Sequence, residues 1–273
     1  MEDGAKRILF VNSEIFPYLP ESDISKIGRF LPQGIQERKK EIRSFMPRYG
    51  CINERKNQLH EVIRLSGMNI IINDVDRPLV IKVASISAAR MQVYFIDNED
   101  YFHRKQIYHD AEGRFFEDNG ERAVFFARGV LETVKKLRWA PDIVHCQGWI
   151  SQILPLYLKK VYSDDPIFSD SKVILSLYND ISPDERFSDD FKEKIRFGDI
   201  AMEDMDAMES PDGMNLAKLA VRYSDGIIMG SGDIAPELAE CCSKSGLPIL
   251  PFDAAALESG EYIDIYNSFY DKF

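Results

Sequence analysis

Short apolar runs of strand length alternate along this chain with longer stretches whose apolar residues recur at helical spacing. The first run, Ile8 to Val11, predicts a buried strand. After a polar connection, apolar residues from Ile24 to Ile35 fall three or four positions apart, which indicates an amphipathic helix. Ser22 and Asp23 precede it and are both favoured N-cap residues, so the helix is expected to begin there. Pro32 predicts a kink or an early end.

The same alternation continues along the chain, except that residues 60–98 are rich in β-branched side chains and predict hairpins followed by a strand over Met91–Ile96. Elsewhere strands and helices are predicted in turn over EIRSFMP, ERAVFFARGVLETVKKLRW, PDIVHCQ, ISQILPLYLKKVY, KVILSLYN, NLAKLAVRY, DGIIMGS and APELAECC. This order predicts an α/β fold: a Rossmann-like, mostly parallel sheet with helices on both faces, plus a β-hairpin insertion. The acidic, methionine-rich segment Asp199–Gly213 is expected to be a mobile loop.

Ligands of open parallel sheets bind beyond the carboxyl ends of the strands. Phosphate-binding loops at such ends usually contain glycine, which lets the backbone approach the ligand, but no glycine lies between Asn12 and Ile27. The strand-end rule selects five candidate ligand segments: Ser13–Ile15, Asp97–Tyr101, His145–Trp149, Tyr178–Asp180 and Gly230–Gly232.

Composition narrows the class of protein further. The 273 residues carry a net charge of −11 at pH 7, which argues against sequence-independent binding of nucleic acid, because that needs a basic surface. The four cysteines form no Cys-x-x-Cys pair, and neither a metal nor a cofactor is predicted. The N-terminus lacks the layout of a signal peptide and no apolar run is long enough to span a bilayer. We therefore expect a cytoplasmic protein without a membrane partner.

Several of the candidate segments also carry a family pattern. The opening ILFVNSEIFPYL resembles that of bacterial glycogen synthases and plant starch synthases, where a first strand runs into Ser-Glu-x-x-Pro. DNGERAVFFARGVLETVKKLRWAPDIVHCQGW resembles their Asp-Asn-x-x-Arg helix followed by Pro-Asp-x-x-His-x-His-Asp-Trp. VILSLYN falls where they have Thr-Val-His-Asn, and MNLAKLAVRYSDGIIMGSGDIAPEL resembles the helix and strand that end their N-terminal domain. The order and spacing of these pieces match over nearly the whole chain.

The resemblance implies one half of a GT-B glycosyltransferase, a fold of two Rossmann-like domains that close over a cleft. Residues 1–273 are then a single N-terminal-type domain, and the C-terminal nucleotide-binding domain is expected to be absent. The family transfers glucose from ADP-glucose or UDP-glucose to an α-1,4-glucan in glycogen biosynthesis. An α-glucan and a nucleotide-sugar are thus the implied ligands, and a homodimer or a partner protein that supplies the second domain is the implied assembly.

The resemblance also implies site residues. His145 matches the first histidine of the family motif, which implies a catalytic position beside the transferred glucose; the alternative is a packed histidine without such a role. Gln147-Gly148 stands where the family has His-Asp, and Trp149 is expected to pack in the core. Tyr178 replaces the family histidine before Asn179, and both are candidate substrate-binding residues, although an asparagine at a strand end is often a turn residue.

Four more substrate-binding candidates lie on helices. Asp118, Asn119 and Arg122 match an acidic corner that faces the donor glucose in the family, although Asp118 or Asn119 would also suit a helix cap. Lys218 matches a family lysine, and the alternative is a solvated position on the helix surface.

The opening connection departs most from the family. Residues 20–26, PESDISK, replace the family's Lys-x-Gly-Gly-Leu-Ala-Asp, so two carboxylates, Glu21 and Asp23, stand where a lysine and glycines would hold the donor phosphates. We predict that this loop does not bind a nucleotide phosphate. Three functions remain open: a glycogen/starch synthase-like glucosyltransferase that is impaired or partner-dependent, a non-catalytic glucan-binding or regulatory subunit of glycogen metabolism, and a partner subunit that binds another synthase or glycogen enzyme through the open face of the sheet. Exposed aromatic side chains near the mouth of the cleft would favour the second.

Overall fold

The computed structural model of the protein describes residues 5–273. The strands are β1 Arg7–Asn12, β2 Glu41–Pro47, β3 His60–Glu61, β4 Met68–Ile72, β5 Val75–Ile86, β6 Met91–Asp97, β7 Ile143–Gln147, β8 Lys172–Leu177, β9 Gly226–Met229 and β10 Ile249–Leu250. The α-helices are α1 Asp23–Glu37, α2 Glu54–Asn57, α3 Glu99–Phe102, α4 Asn119–Leu137, α5 Leu154–Lys160, α6 Phe191–Ile195, α7 Gly213–Arg222, α8 Pro236–Lys244, α9 Ala254–Ser259 and α10 Tyr262–Tyr270.

The strands form one sheet in the order β10-β9-β8-β7-β1-β2-β6-β5-β3, with β4 paired to β5. From β10 to β6 every neighbouring pair is parallel, and β5, β3 and β4 add antiparallel pairs at one side. The β4–β5 hairpin turns at Asn73 and Asp74, whose positive φ values of 47° and 61° are typical of a type I′ turn. The predicted parallel sheet and hairpin insertion are thus confirmed.

Alternate residues of the central strands face two different sets of helices. Ile8 and Phe10 of β1 point toward α1 and α10, and the Leu9 and Val11 side chains join the larger core under α4, α5 and α7. Because both faces of β1 are covered, the strand is apolar without interruption, as the sequence indicated. The last helix, α10, to which the sequence pattern assigned no element, completes the cover of the first face with Tyr266, Phe269 and Tyr270.

Two expectations from the sequence are corrected here. Helix α1 continues through Pro32 to Glu37, so the early end predicted at this proline is wrong. The segment Asp199–Gly213 is not a loose loop: it contains a 3₁₀ turn over Met202–Met205, and the side chains of Met205 and Met208 are fully buried. Met202, the third methionine of the segment, is 40% exposed, so two of its three methionines anchor it in the core.

Within residues 5–273, no helix combines the length and the apolar character that crossing a bilayer would require.

Candidate functional site

The connection between β1 and α1 is a capped, carboxylate-bearing turn. Ser22 is the N-cap of α1: its Oγ accepts from the Ser25 backbone N–H at 3.0 Å, and the Ser25 Oγ accepts from the Ser22 N–H at 2.8 Å. The Ser22 hydroxyl donates to the Glu14 carboxylate at 2.8 Å. Burial of Glu14 raises the pKa of its carboxyl group. The predicted helix start is therefore confirmed, and the capping side chains already occupy N–H groups that an anion would need.

The glycine that this connection lacks is found in the helix instead. A Cβ atom added to Gly28 would lie 2.3 Å from the Glu14 carbonyl oxygen, so α1 can approach the strand end only because residue 28 has no side chain. The connection itself contains no glycine. Asp23 is exposed and pairs with Lys26 at 3.9 Å, and Glu21 is also exposed.

Unpartnered polar atoms concentrate at the carboxyl edge of the sheet. Among the described residues, fifteen buried side-chain nitrogen or oxygen atoms have no hydrogen-bond partner, and five of these are arginine Nε atoms. The other ten all lie at the ends of β1, β7, β8 and β9 or in the connections that follow them. They belong to Asn12, Ser13, Tyr18, Gln147, Trp149, Gln152, Tyr178, Asp180 and Ser231. Buried polar groups elsewhere in proteins are nearly always paired with protein groups or ordered water, so this concentration marks the carboxyl edge as the candidate polar site.

Asp180 is the most perturbed acid at this edge. Its Oδ2 accepts the backbone N–H of Trp149 at 2.7 Å, whereas its Oδ1 is buried without a partner. Burial, with the nearby charge of Glu14 as a smaller cause, raises the pKa of Asp180 to about 6. Gly148, with φ of 85°, lies between this carboxylate and Ser13: an added Cβ would be 2.0 Å from Ser13 Oγ and 3.1 Å from Asp180 Oδ2.

His145 lies in the core rather than at the edge. Its side chain is fully buried, its Nε2 is 2.7 Å from Ser176 Oγ, and its Nδ1 is 2.8 Å from the hydroxyl of Tyr270 on α10. Burial lowers the pKa of the imidazole to about 3, so the ring is neutral at pH 7. Both ring nitrogens are occupied by protein groups. In this arrangement His145 matches the packed alternative, and contact with a sugar would require Tyr270 to leave.

The predicted residues at the end of β8 lie near this edge but differ in exposure. The ring of Tyr178 is buried against Gly230, where an added Cβ would be 2.4 Å from it. Asn179 is exposed, and its amide donates to Asp233 at 3.0 Å. Trp149 packs in the core against Tyr108, as expected from the sequence.

The predicted acidic corner at the start of α4 holds the preceding loop. Asp118 binds the guanidinium group of Arg104, and its side chain makes no helix-cap bond. Asn119 donates to the Tyr108 carbonyl oxygen at 2.8 Å, and the buried Arg122 donates to the Ile107 carbonyl oxygen at 2.7 Å. These polar groups hold the segment 104–108 through the Arg104 side chain and two backbone carbonyl oxygens rather than pointing into open space.

Lys218, on α7, forms an ion pair with Glu237 at the start of α8, so its ammonium group joins two helices. This pair raises the pKa of Lys218. Within residues 5–273 no group of three His, Cys, Asp or Glu side chains is arranged to hold a metal ion.

A partly apolar groove lies beside α1, between that helix and the α9–α10 segment. Its volume is about 590 Å³, and its walls include Phe30, Phe252 and Tyr262 together with the polar residues Lys26 and Glu258. Phe30 is 42% exposed and Phe252 is 37% exposed, so both rings are available to a ligand. Phe252 follows the end of β10, which places this wall of the groove at the carboxyl edge.

Comparison with known proteins is consistent with this geometry. The sequence profile of the starch synthase catalytic domain matches residues 7–248. This chain belongs to the starch synthase catalytic domain family. A glycogen synthase of Chlorobium limicola is 39% identical over 174 residues, which are 63% of this chain and 36% of the relative. A glycogen synthase of Chlorobaculum parvum is 30% identical over 235 residues, or 85% of this chain and 47% of the relative. The chain therefore spans less than half the length of these relatives.

A solved structure shows the same fold. The catalytic domain of starch synthase IV from Arabidopsis thaliana, bound to ADP and acarbose, superposes with a TM-score of 0.71 at 15% identity. The match covers 91% of this chain and 51% of the starch synthase chain. The glycogen/starch synthase resemblance and the GT-B half fold that the sequence indicated are thus confirmed.

Asp180 and Ser13 fall inside the strand-end segments selected from the sequence, but neither residue stood out there individually. Nothing in the local sequence distinguishes these residues from ordinary turn residues. The signal lies in three dimensions, in the buried oxygen atoms that no neighbour satisfies.

Proposed function

We propose that the carboxyl edge of this domain binds a neutral α-glucan chain and that the domain does not transfer glucose by itself. The observation that carries the proposal is the chemistry of the unpartnered groups at that edge. They are amides, hydroxyls, one carboxylate and one indole N–H, of which Asn12, Ser13, Gln147 and Asp180 lie at or directly beyond the ends of β1, β7 and β8. Amides both donate and accept hydrogen bonds, which suits the hydroxyl groups of a sugar.

The charges at the same edge disfavour a phosphate. The connection from Ser13 to Ser22 contains Glu14 and Glu21 and has no lysine or arginine. The Ser22 and Ser25 side chains cap the first turn of α1. A diphosphate placed here would meet two carboxylates and a helix terminus whose N–H groups are partly occupied. We therefore propose that transfer from ADP-glucose or UDP-glucose, the activity of the family, requires phosphate-binding groups from elsewhere.

The groove supports the glucan-binding alternative in particular. The exposed rings of Phe30 and Phe252 offer flat apolar surfaces, and Lys26 and Glu258 provide polar contacts beside them. Such a mixture of a few polar groups with an apolar wall is typical of small-molecule sites. Exposed aromatic side chains of this kind favour a non-catalytic glucan-binding function over an independent transferase.

Two assays test the proposal. Electrophoresis of the native protein in gels that contain glycogen should show retardation, and incubation with labelled ADP-glucose and glycogen should show no incorporation. Phe252→Ser should weaken the retardation. Ile63→Ser, which removes an apolar side chain that is 83% exposed on a different part of the surface, serves as the matched control and should not. Unchanged mobility of the wild-type protein, or incorporation of label by the protein alone, would contradict the proposal.

A further inference from the structure

Asp180 presents an unusual combination of a fixed and an unused carboxylate oxygen. The Trp149 N–H holds Oδ2 at 2.7 Å and so sets the orientation of the group. Oδ1 is buried and has no partner. A buried carboxylate oxygen without a hydrogen bond is costly, because the group has lost water and gained nothing in exchange. The arrangement therefore favours any ligand that donates a hydrogen bond to this oxygen.

The surroundings of Asp180 indicate which donor fits. Ser13 Oγ, also buried and unpartnered, lies across Gly148 from the carboxylate. An added Cβ at residue 148 would lie 2.0 Å from Ser13 Oγ and 3.1 Å from Asp180 Oδ2, so Ser13 and the carboxylate can pack this closely only because residue 148 is glycine. A carboxylate and a hydroxyl close together can accept from and donate to neighbouring hydroxyl groups of one sugar ring.

We propose that Asp180 is the specificity-determining residue of this site: its carboxylate accepts hydrogen bonds from the hydroxyl groups of a neutral glucosyl unit, and Ser13, which the glycine at position 148 allows to pack close by, lies beside it. The proposal rests on the glucan-binding function proposed above and identifies the residue that selects the ligand. A carboxylate in this place selects hydroxyl donors and rejects phosphate oxygens, which carry negative charge. Small side-chain movements of the kind common on binding would admit the sugar to Oδ1.

The groups that face Asp180 from neighbouring elements are Glu14 on the β1–α1 connection, Tyr108 on the segment before α4, and Tyr178 on its own connection. Glu14 is the other carboxylate among them, and its negative charge raises the pKa of Asp180. The two tyrosines have raised pKa values and stay neutral below pH 8. A maltooligosaccharide has no ionisable group, so any pH dependence of its binding must come from the protein.

The test is calorimetric titration of the full chain with maltoheptaose at pH 7.5 and pH 5. Wild-type affinity should fall about tenfold at pH 5, because only about a tenth of an acid with a pKa near 6 is ionised there. Asp180→Asn should bind at least about tenfold more weakly at pH 7.5 and lose the pH dependence. Asp184→Asn, a change of an exposed carboxylate on the same connection, should behave as wild type. Glu14→Gln should keep the pH dependence with its midpoint moved to lower pH.

The outcomes separate the two proposals. A wild-type protein that does not bind maltoheptaose at either pH overturns the glucan-binding function, and the role of Asp180 with it. Wild-type binding that Asp180→Asn leaves unchanged overturns the role of Asp180 alone. Near-UV circular dichroism shows whether Asp180→Asn folds. If it does not, the pH dependence of wild-type affinity still tests the role of Asp180, because equal affinity at pH 5 and pH 7.5 contradicts a role for this carboxylate.

Discussion

Replacing Asp180 by asparagine should stabilise the protein, and the gain should depend on pH. The ordinary pKa of the Asp180 carboxyl is 3.8, and burial raises it to about 6. Between these values the folded state binds a proton that the unfolded state has lost, so the stability contributed by this group falls as the pH rises. At pH 8 the carboxyl group is ionised in both the folded and the unfolded state, so the full free-energy cost of burying its charge lowers the stability of the fold. A pKa raised by about two pH units corresponds to about 3 kcal/mol of unfolding free energy.

Asparagine has nearly the same shape as aspartic acid and can still accept the Trp149 N–H, but it has no charge to desolvate. The unfolding free energy of the variant should therefore exceed that of the wild type by about 1 kcal/mol at pH 4.5 and by about 3 kcal/mol at pH 8. Urea unfolding at the two pH values, followed by the fluorescence of Trp139 and Trp149, measures the difference. Asp184→Asn should show no such change. An advantage that is equal at both pH values, or a variant that is less stable at pH 8, would refute this reasoning.

Two further substitutions test the packing at the carboxyl edge and in the core beneath it. The buried His145 cannot take up the proton that its unfolded counterpart binds, so wild-type stability should fall by about 3 kcal/mol between pH 8 and pH 4.5 on account of this group. His145→Asn should remove that acid-dependent loss while costing about 2 kcal/mol at pH 8 for the two bonds to Ser176 and Tyr270. Thermal melts across this pH range measure both effects. If the variant loses as much stability as the wild type between pH 8 and pH 4.5, the result argues against a neutral buried ring. Gly148→Ala should destabilise the protein by at least about 2 kcal/mol more than Gly113→Ala. Both glycines have φ above 80°, but an added Cβ at Gly113 meets nothing within 4 Å, so equal losses in urea unfolding would mean that the close contacts of Gly148 do not matter.

Local pattern was sufficient for the main parallel strands and the longer helices between them, although it did not reveal α10. Unbroken apolar runs mark the parallel strands because helices cover both of their faces. Ser22 was recognisable as the start of α1 because a cap acts over only a few residues. The strand-end rule then placed Ser13 and Asp180 within candidate segments before any side-chain contact was known.

The roles of individual polar residues depended on partners distant in sequence. His145 is enclosed by Tyr270, 125 residues away on a helix that the pattern did not assign. Asp118 is bound by Arg104, and Lys218 by Glu237, and neither partner was identified beforehand. A polar residue at a strand end or helix start has the same local sequence whether it contacts a ligand or a neighbouring side chain. Only tertiary packing separates the two cases.

The buried methionines of residues 199–213 show that local composition also fails to predict which side chains are buried. The acidic composition of this segment suggested a loose loop, yet Met205 and Met208 are fully buried. A few apolar side chains at suitable spacing were enough to anchor a segment whose average composition is strongly polar.

A crystal structure of the protein soaked with maltoheptaose and, separately, with ADP-glucose tests the central claim most directly. We predict sugar density at the carboxyl edge, with hydroxyl groups within hydrogen-bond distance of Asp180 Oδ1 and Ser13 Oγ, and no phosphate density on the Ser13–Ser22 connection. Diphosphate density on that connection, or glucan density found only away from this edge, would contradict the account.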